Sequence, residues 1–305
     1  MKLDKALAGE RLDRAIVRTL SDLGVPASMR EVKLALKEGR IRVHPGPSSP
    51  GRIVAGGEEV DAEGFTPRLS AVIEPDHALL ARSAVLLDTK LLLCLAKPSG
   101  VPSHPLRADE TGTMLHAAVA HTPAIAEAGP ALEGGLAHRL DIPTSGALLF
   151  AKDAETRDAL RRAFTAGAIE KRYLALAEDS RRTLQVGRVI DGYIMATGND
   201  RLVEVVPERV PGAQAARTEI VRVERLRGEL AWVELLAHTG RRHQIRAHLA
   251  SLGAPIAGDE SYGATSAPAG LTRLALHASS LVLPDRTRID APVAEDLVAV
   301  LDALG

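Results

Sequence analysis

From Val85 onward, six strand-length runs follow one another along the chain: LLDTKLLLCLAKP, GALLFAKD, KRYLALAED, ARTEIVRVERL, ELAWVELLAH and LALHASSLVLP. In the fifth, Leu230, Trp232 and Glu234 alternate with Ala231, Val233 and Leu235, the period of a half-buried strand. Helical patterns only punctuate these runs. One extends from Asp153 to Thr165, with Asp153 as N-cap and Gly167 past its end; another extends from Arg242 to Leu252, closed by Gly253; a last one spans Val293 to Leu304. Strands grouped around few helices, without regular β-α alternation, predict an α+β fold with flanking helices on a mostly antiparallel sheet.

A smaller module precedes this region. Leu12, Ile16 and Leu20 have helical spacing, a Gly-Val-Pro break follows, and REVKLALKEG gives a second helix carrying Val32, Leu34 and Leu36 before Gly39. Ile41 to Val43 reads as a strand and Arg52 to Val54 as its return strand, so residues 1–62 are expected to form a small α-α-β module. Residues 63–86 lack a sustained period and read as a linker or peripheral strand, leaving 87–305 as the main domain.

A formal net charge of −1 gives no global support for a polyanionic partner, but the charge is unevenly placed. Arg11 to Ala55 holds nine basic residues and four acids, a net of +5, and Leu235 to Gly258 holds three arginines, three histidines and no acid. Either segment reads equally as a solvated helix face. Aromatic residues, at 2%, argue against a broad base-stacking platform. No run approaches the roughly 18 apolar residues of a membrane span, and MKLDKALAGERLD carries acids where a signal peptide needs an apolar core. A cytoplasmic protein that avoids membranes is expected.

Ten histidines invite a metal site, yet His243 and His248 are five apart, off a common helix face, and no His-Glu-x-x-His occurs. The lone Cys94, in LLLCLAKP, has no partner thiol and reads as buried and inert. Ser145 lies in Pro-Thr-Ser-Gly rather than Gly-x-Ser-x-Gly, and no phosphate-cradling loop ends in Gly-Lys-Ser or Gly-Lys-Thr. The remaining candidates cluster. Asp141, in AHRLDIPTSGALLFAKD, follows Arg139 by two residues, which on a strand puts both on one face. It is either half of a local ion pair with an Asx turn into Thr144-Ser145-Gly146, or a carboxylate kept for chemistry. Arg246, four residues after Arg242 on the expected helix, either covers the core edge with its stem or offers a fixed cation to an anion. Tyr173 reads as a half-buried strand tyrosine, and Lys97-Pro98-Ser99-Gly100 and Gly258-Asp259-Glu260-Ser261-Tyr262-Gly263 read as turns.

Taken together, these segments resemble the RluA family of pseudouridine synthases, whose motifs occur here in the family's order. They are Lys97-Pro98-Ser99-Gly100 with His104-Pro105, His138-Arg139-Leu140-Asp141-x-x-Thr144-Ser145-Gly146 and Lys171-x-Tyr173. Then come Thr239-Gly240-Arg241-Arg242-His243-Gln244-Ile245-Arg246-x-His248, Gly258-Asp259-x-x-Tyr262-Gly263 and Leu274-x-Leu276-His277-Ala278. The resemblance covers Leu87 to the C-terminus, with Ala96 where the family has asparagine. The N-terminal module separately resembles the S-four RNA-binding domain, with His44-Pro45-Gly46 in place of its Asn-Gly turn and Gly57-Glu58 in place of Gly-Asp.

The resemblance implies isomerisation of uridine in RNA without metal, nucleotide or redox cofactor: uracil leaves the ribose, turns and is rejoined through carbon five. It implies that Asp141 is essential, acting where positive character develops at the sugar by stabilising it, attacking it or removing a neighbouring proton. Arg246 is then its ion-pair partner, keeping it ionised, and Tyr173 packs on the base and assists proton transfer at carbon five. His138 and Leu276 belong to the substrate pocket, and Arg139 fills the space left by a flipped base. Family members with an S-four domain generally modify large-subunit ribosomal RNA, which makes that RNA the expected partner, transfer RNA the alternative, and no protein partner obligatory. Two other functions stay open: a non-catalytic RNA-binding or ribosome-assembly protein, and a glycoside hydrolase, which needs a second acid, Glu133 being the nearest upstream.

Overall fold

A computed structural model describes the chain except residues 24, 26, 28, 64, 66–72, 108, 199–201, 266 and 305 and the side chain of Arg30. The chain divides into two compact units, Met1–Val72 and Ile73–Gly305.

In the first unit, α1 (Leu12–Asp22) and α2 (Met29–Lys37) precede an antiparallel pair, β1 (Arg42–His44) and β2 (Glu59–Asp61). Leu12, Ile16, Leu20, Val32, Ala35, Leu36, Val43 and Val60 close one small core. Two expectations are corrected here. Leu34 is exposed, because the helical steps of three and four from Val32 put Ala35 and Leu36 on the inner face. The return strand is β2 rather than Arg52 to Val54: Gly56 and Gly57, both at positive φ, turn the chain, and Val43 pairs with Val60. Ile53 forms only an isolated bridge to Arg11. Within the expected helix break, Gly24 and Pro26 lie outside the described residues, as do Gly64 and residues 66–72 of the expected linker.

The second unit starts inside that linker. α3 (His77–Ala81) is capped by Asp76, whose carboxylate accepts from the Leu79 N–H, and Leu79 joins the core, so residues 73–86 are structured. There follow β3 (Val85–Asp88), β4 (Leu92–Lys97), α4 (Met114–His121), β5 (Ser145–Ala151), α5 (Ala154–Thr165) and β6 (Glu170–Glu178). Next are β7 (Val189–Ala196), β8 (Val203–Val206), β9 (Gln214–Arg225), β10 (Leu230–Ala237), α6 (Gln244–Ser251), β11 (Leu276–Val282), β12 (Arg288–Asp290) and α7 (Glu295–Leu304). Among the described residues the strands form one sheet in the order β3-β4-β5-β11-β6-β10-β9-β7-β8, with β12 beside the far half of β11. Its pairs are antiparallel except β5 with β11, which agrees with the mostly antiparallel sheet that the grouped strands predict.

β5 is buried at every position. Leu148 and Phe150 pack with Leu93, Leu95, Met114 and Leu115 on one face, and Ala147, Leu149 and Ala151 pack with Cys94, Leu160 and Ile169 on the other. Cys94 is fully enclosed and burial pushes its thiol up to about 12, so it is inert as expected. α5 begins as the sequence predicts, with the Asp153 carboxylate accepting from the Thr156 N–H. The central strand is thus held from both faces, and its first residue follows the loop that carries Asp141.

Candidate active site

A cleft of about 350 Å³ opens where the loop before β5, the starts of β6 and β11, and the loop before α6 meet. Asp141, Tyr173, Arg246, Arg139, His138 and Leu276 all line it.

Asp141 lies on no strand, which corrects the expectation that it shares a strand face with Arg139: Arg139 is exposed at the cleft without an ion pair to Asp141, whose ion partner among the described residues is Arg246. The turn after it is closed by the Thr144 N–H donating to the Asp141 backbone carbonyl at 3.0 Å rather than to its side chain. Segment 97–103 braces the residues around it. Ser103 Oγ bonds both the N–H and the carbonyl of Leu140 at 3.0 Å, and Ser99 Oγ donates to Pro143 O at 2.8 Å. Lys97, 1% exposed, donates to the carbonyls of Pro98, Val101 and Ile142 at 2.9, 2.6 and 2.8 Å. Burial pushes Lys97 down to about 7 while the charge of Asp141 pulls it up. Three carbonyl acceptors need three donors, which the ammonium supplies and a neutral amine does not. From the other side, Arg273 donates to Ser145 Oγ at 3.1 Å while its fork holds Asp296. Gly146 permits the closest approach in this region: a Cβ there would lie 2.1 Å from the Ala278 carbonyl across the parallel pair, and its φ is +118°. The backbone is fixed on both sides and the Asp141 carboxylate is left facing the cleft.

Arg246 enters from α6, which begins at Gln244 and not at Arg242 as expected. His243 takes the left-handed conformation at φ 53°, which interrupts the helical repeat, so Arg242 is not a helix neighbour of Arg246. Gln244, buried, secures this corner: its Oε1 accepts from Thr239 Oγ1 and Arg241 N, and its Nε2 donates to Arg217 O and Thr218 Oγ1. The Arg246 guanidinium is bidentate to Asp259, Nε to Oδ2 at 2.6 Å and Nη2 to Oδ1 at 2.8 Å. Its Cζ lies 4.8 Å from the Tyr262 ring centroid, and Nη1 is 3.7 Å from Asp141 Oδ2. Burial alone would lower its pKa; Asp259 outweighs that and raises it. The expected Arg246–Asp141 pair is present as the longer contact, and Asp259 is the partner that fixes the arginine. Tyr262 in turn accepts from the Val203 N–H at 3.0 Å and lies 3.0 Å from His243 Nδ1.

Tyr173 projects into the cleft from β6, and its hydroxyl makes no hydrogen bond among the described residues. Burial first and the charge of Asp141 second raise its pKa, so the phenol stays protonated through the neutral range. His138 is held by the Leu149 N–H donating to Nε2 at 3.2 Å and by the Phe164 ring at 4.6 Å; burial pushes it down to about 3. It is therefore neutral and forms part of the wall. Leu276, buried at the head of β11, forms another part. Glu133 does not serve as a second acid. Burial raises its pKa, but Arg161 and Arg157, at 2.5 and 2.9 Å, more than reverse this and keep it ionised, whereas a glycosidase acid needs a raised pKa.

Asp259 and Tyr262, which the sequence offers as a turn and a family motif without a role, and Ser103 and Arg273, which it does not offer, complete the site. A signal for Asp259 does exist: the acid-free run Leu235 to Gly258 carries three arginines, and Asp259 is the first acid after it. Among the described residues no three His, Cys, Asp or Glu side chains converge as a metal-binding group, and no helix is long and apolar enough to cross a membrane.

Comparisons with known proteins agree on one class. The RNA pseudouridylate synthase family matches residues 91–251. The ribosomal large subunit pseudouridine synthase D of Neisseria meningitidis serogroup A is 30% identical over 98% of this chain and 79% of its own length. That of Xanthomonas campestris pv. campestris is 31% identical over 97% and 89%. The solved structure of human RNA pseudouridylate synthase domain containing 4 superposes with a TM-score of 0.55 at 25% identity, covering 73% of this chain and 93% of that one.

Proposed function

The chain belongs to the RNA pseudouridylate synthase family, and from that premise we propose that it isomerises uridine to pseudouridine in large-subunit ribosomal RNA. The observation that carries this reading is a braced loop presenting Asp141 beside Arg246, opposite a Tyr173 hydroxyl that no described residue engages. In the reaction the bond from the ribose to uracil N1 breaks, the base turns, a bond to carbon five forms, carbon five gives up its proton, and N1 takes up one proton in exchange, directly or through solvent. No atom is gained or lost. A carboxylate at the sugar suits the developing positive character there. The Tyr173 phenol, held protonated, can give its proton to the detached uracil anion, and the phenolate so formed can take the proton of carbon five, leaving the residue as it began.

Tyr173→Phe separates the ring from its hydroxyl. We expect RNA affinity to change by less than about twofold while kcat falls about 10²-fold or more, the usual scale for a lost proton-transfer group. Full kcat in single-turnover assays would reduce Tyr173 to a packing surface. Arg139, exposed on the rim, is assigned to the gap left by the flipped base. Arg139→Ala is accordingly expected to lose activity on base-paired RNA and keep it on an unpaired loop, and equal activity on both would remove that role.

The S-four-like unit is assigned to RNA as well. Within it Arg11 and Lys33 face Asp13, Arg52 faces Glu58, and Arg18 and Arg40 have glutamate partners, while Arg14 and Lys37 carry no ion pair among the described residues. The net +5 is thus partly neutralised locally. Ribosomal RNA as substrate agrees with the cytoplasmic placement expected from the sequence; transfer RNA is the alternative substrate. The test is pseudouridine mapping on total RNA from cells with and without the protein. One or a few sites should vanish and return with the wild-type gene, whereas an unchanged map would favour a binding protein that keeps the fold.

A further inference from the structure

Lys171 precedes Tyr173 by two residues on β6, so both side chains leave the same strand face and line the cleft, about 7 Å apart along the strand. It is 5% exposed. Among the described residues its ammonium donates to no acceptor and pairs with no carboxylate. Its distance to the Phe164 ring centroid, 6.0 Å, is at the outer limit of a cation-π contact. The acids around this part of the sheet are committed elsewhere, Glu170 and Glu234 both accepting from Arg172 on the opposite strand face.

The charge that acts on Lys171 is a second cation. Arg241, exposed on the same cleft, has Nε bonded to the Ala215 carbonyl at 2.9 Å and no carboxylate partner among the described residues. Burial and this neighbour together push Lys171 down to about 8. The other end of the cleft is balanced, since Arg246 there meets both Asp259 and Asp141. The side chain of Lys171 is buried while its ammonium opens on the cleft, and two cations that line one cleft wall without an acid partner make an anion site.

We propose that Lys171 and Arg241 bind a backbone phosphodiester of the RNA adjacent to the target uridine, with the base lying against Tyr173. This rests on the isomerase reading above. It divides the cleft into a balanced end for the sugar and a cationic end for the chain that carries it.

A cycle that alters protein and RNA together tests it. Synthetic stem-loops of the ribosomal RNA, centred on a uridine that the wild-type protein converts, carry one uncharged methylphosphonate at each linkage in turn. At one linkage within a nucleotide or two of the target, wild-type affinity should fall about tenfold, while Lys171→Met, already weakened by a similar factor, should lose less than about twofold more. Its salt slope should be shallower by about 0.7, one phosphate contact on a single strand. Arg241→Met, at an exposed position, should show the same coupling at the same linkage and decides the matter should Lys171→Met fail to fold. Wild-type-like sensitivity in both variants at every linkage overturns the site while leaving the isomerase intact. A wild-type protein that converts no uridine in cellular RNA, and so gives no target on which to centre a stem-loop, overturns both.

Discussion

Asp141→Asn is expected to yield a folded protein without isomerase activity. The carboxylate is 26% exposed, its one ion pair among the described residues is the 3.7 Å approach of Arg246, and the backbone around it is held by Ser99, Ser103 and Lys97. Losing a partly exposed pair of that length changes stability by about 1 kcal/mol or less. Losing the group proposed to act on the glycosidic bond should lower kcat/KM by about 10⁴-fold or more, equivalent to about 5.5 kcal/mol of transition-state stabilisation. Urea unfolding and single-turnover conversion measure the two effects separately. In the cellular mapping experiment the variant should fail to restore any site that wild type restores. Restoration by Asp141→Asn would remove the carboxylate from the chemistry.

Asp259→Asn should damage both stability and rate. It faces a buried guanidinium through two short bonds, and the new amide would turn its own N–H groups toward one arginine nitrogen. Breaking one side of a buried ion pair costs about 3–5 kcal/mol, seen as a lower urea midpoint. Arg246 would then be free to swing onto Asp141, and misplacement on the scale of 1 Å costs about 10²-fold in kcat. Because Asp259 is proposed to act through Arg246, Asp259→Asn and Arg246→Met should be strongly non-additive in kcat. Additive losses would separate them, and a wild-type rate in Asp259→Asn would make that pair purely structural.

What the chain discloses before folding is what depends on near neighbours. The Asp153 cap and the alternation in Leu230 to Ala237 are local patterns, and both are present in the structure. The motif resemblance names six candidate residues, and the fold brings them to one cleft. Other features depend on distant or unusual geometry. α4 shows no amphipathic period because Met114 through Val119 are all buried, so helix and core are indistinguishable there. The late start of α6 depends on a left-handed His243, a conformation that residue type alone does not announce. Arg139 and Asp141 have strand spacing yet occupy a loop, because segment 97–103 holds the backbone that a neighbouring strand would otherwise take.

The parallel pairing of β5 with β11 joins Ser145 to His277 and presses Gly146 against Ala278, over more than a hundred intervening residues. During synthesis, residues 1–72 and the strands up to β10 leave the ribosome before that partner exists. Contacts of such long separation form late. A chain arrested before Leu276 lacks one wall of the cleft and the strand that fixes the end of the Asp141 loop. The cleft is thereby complete only once β11 has joined the sheet beside β5.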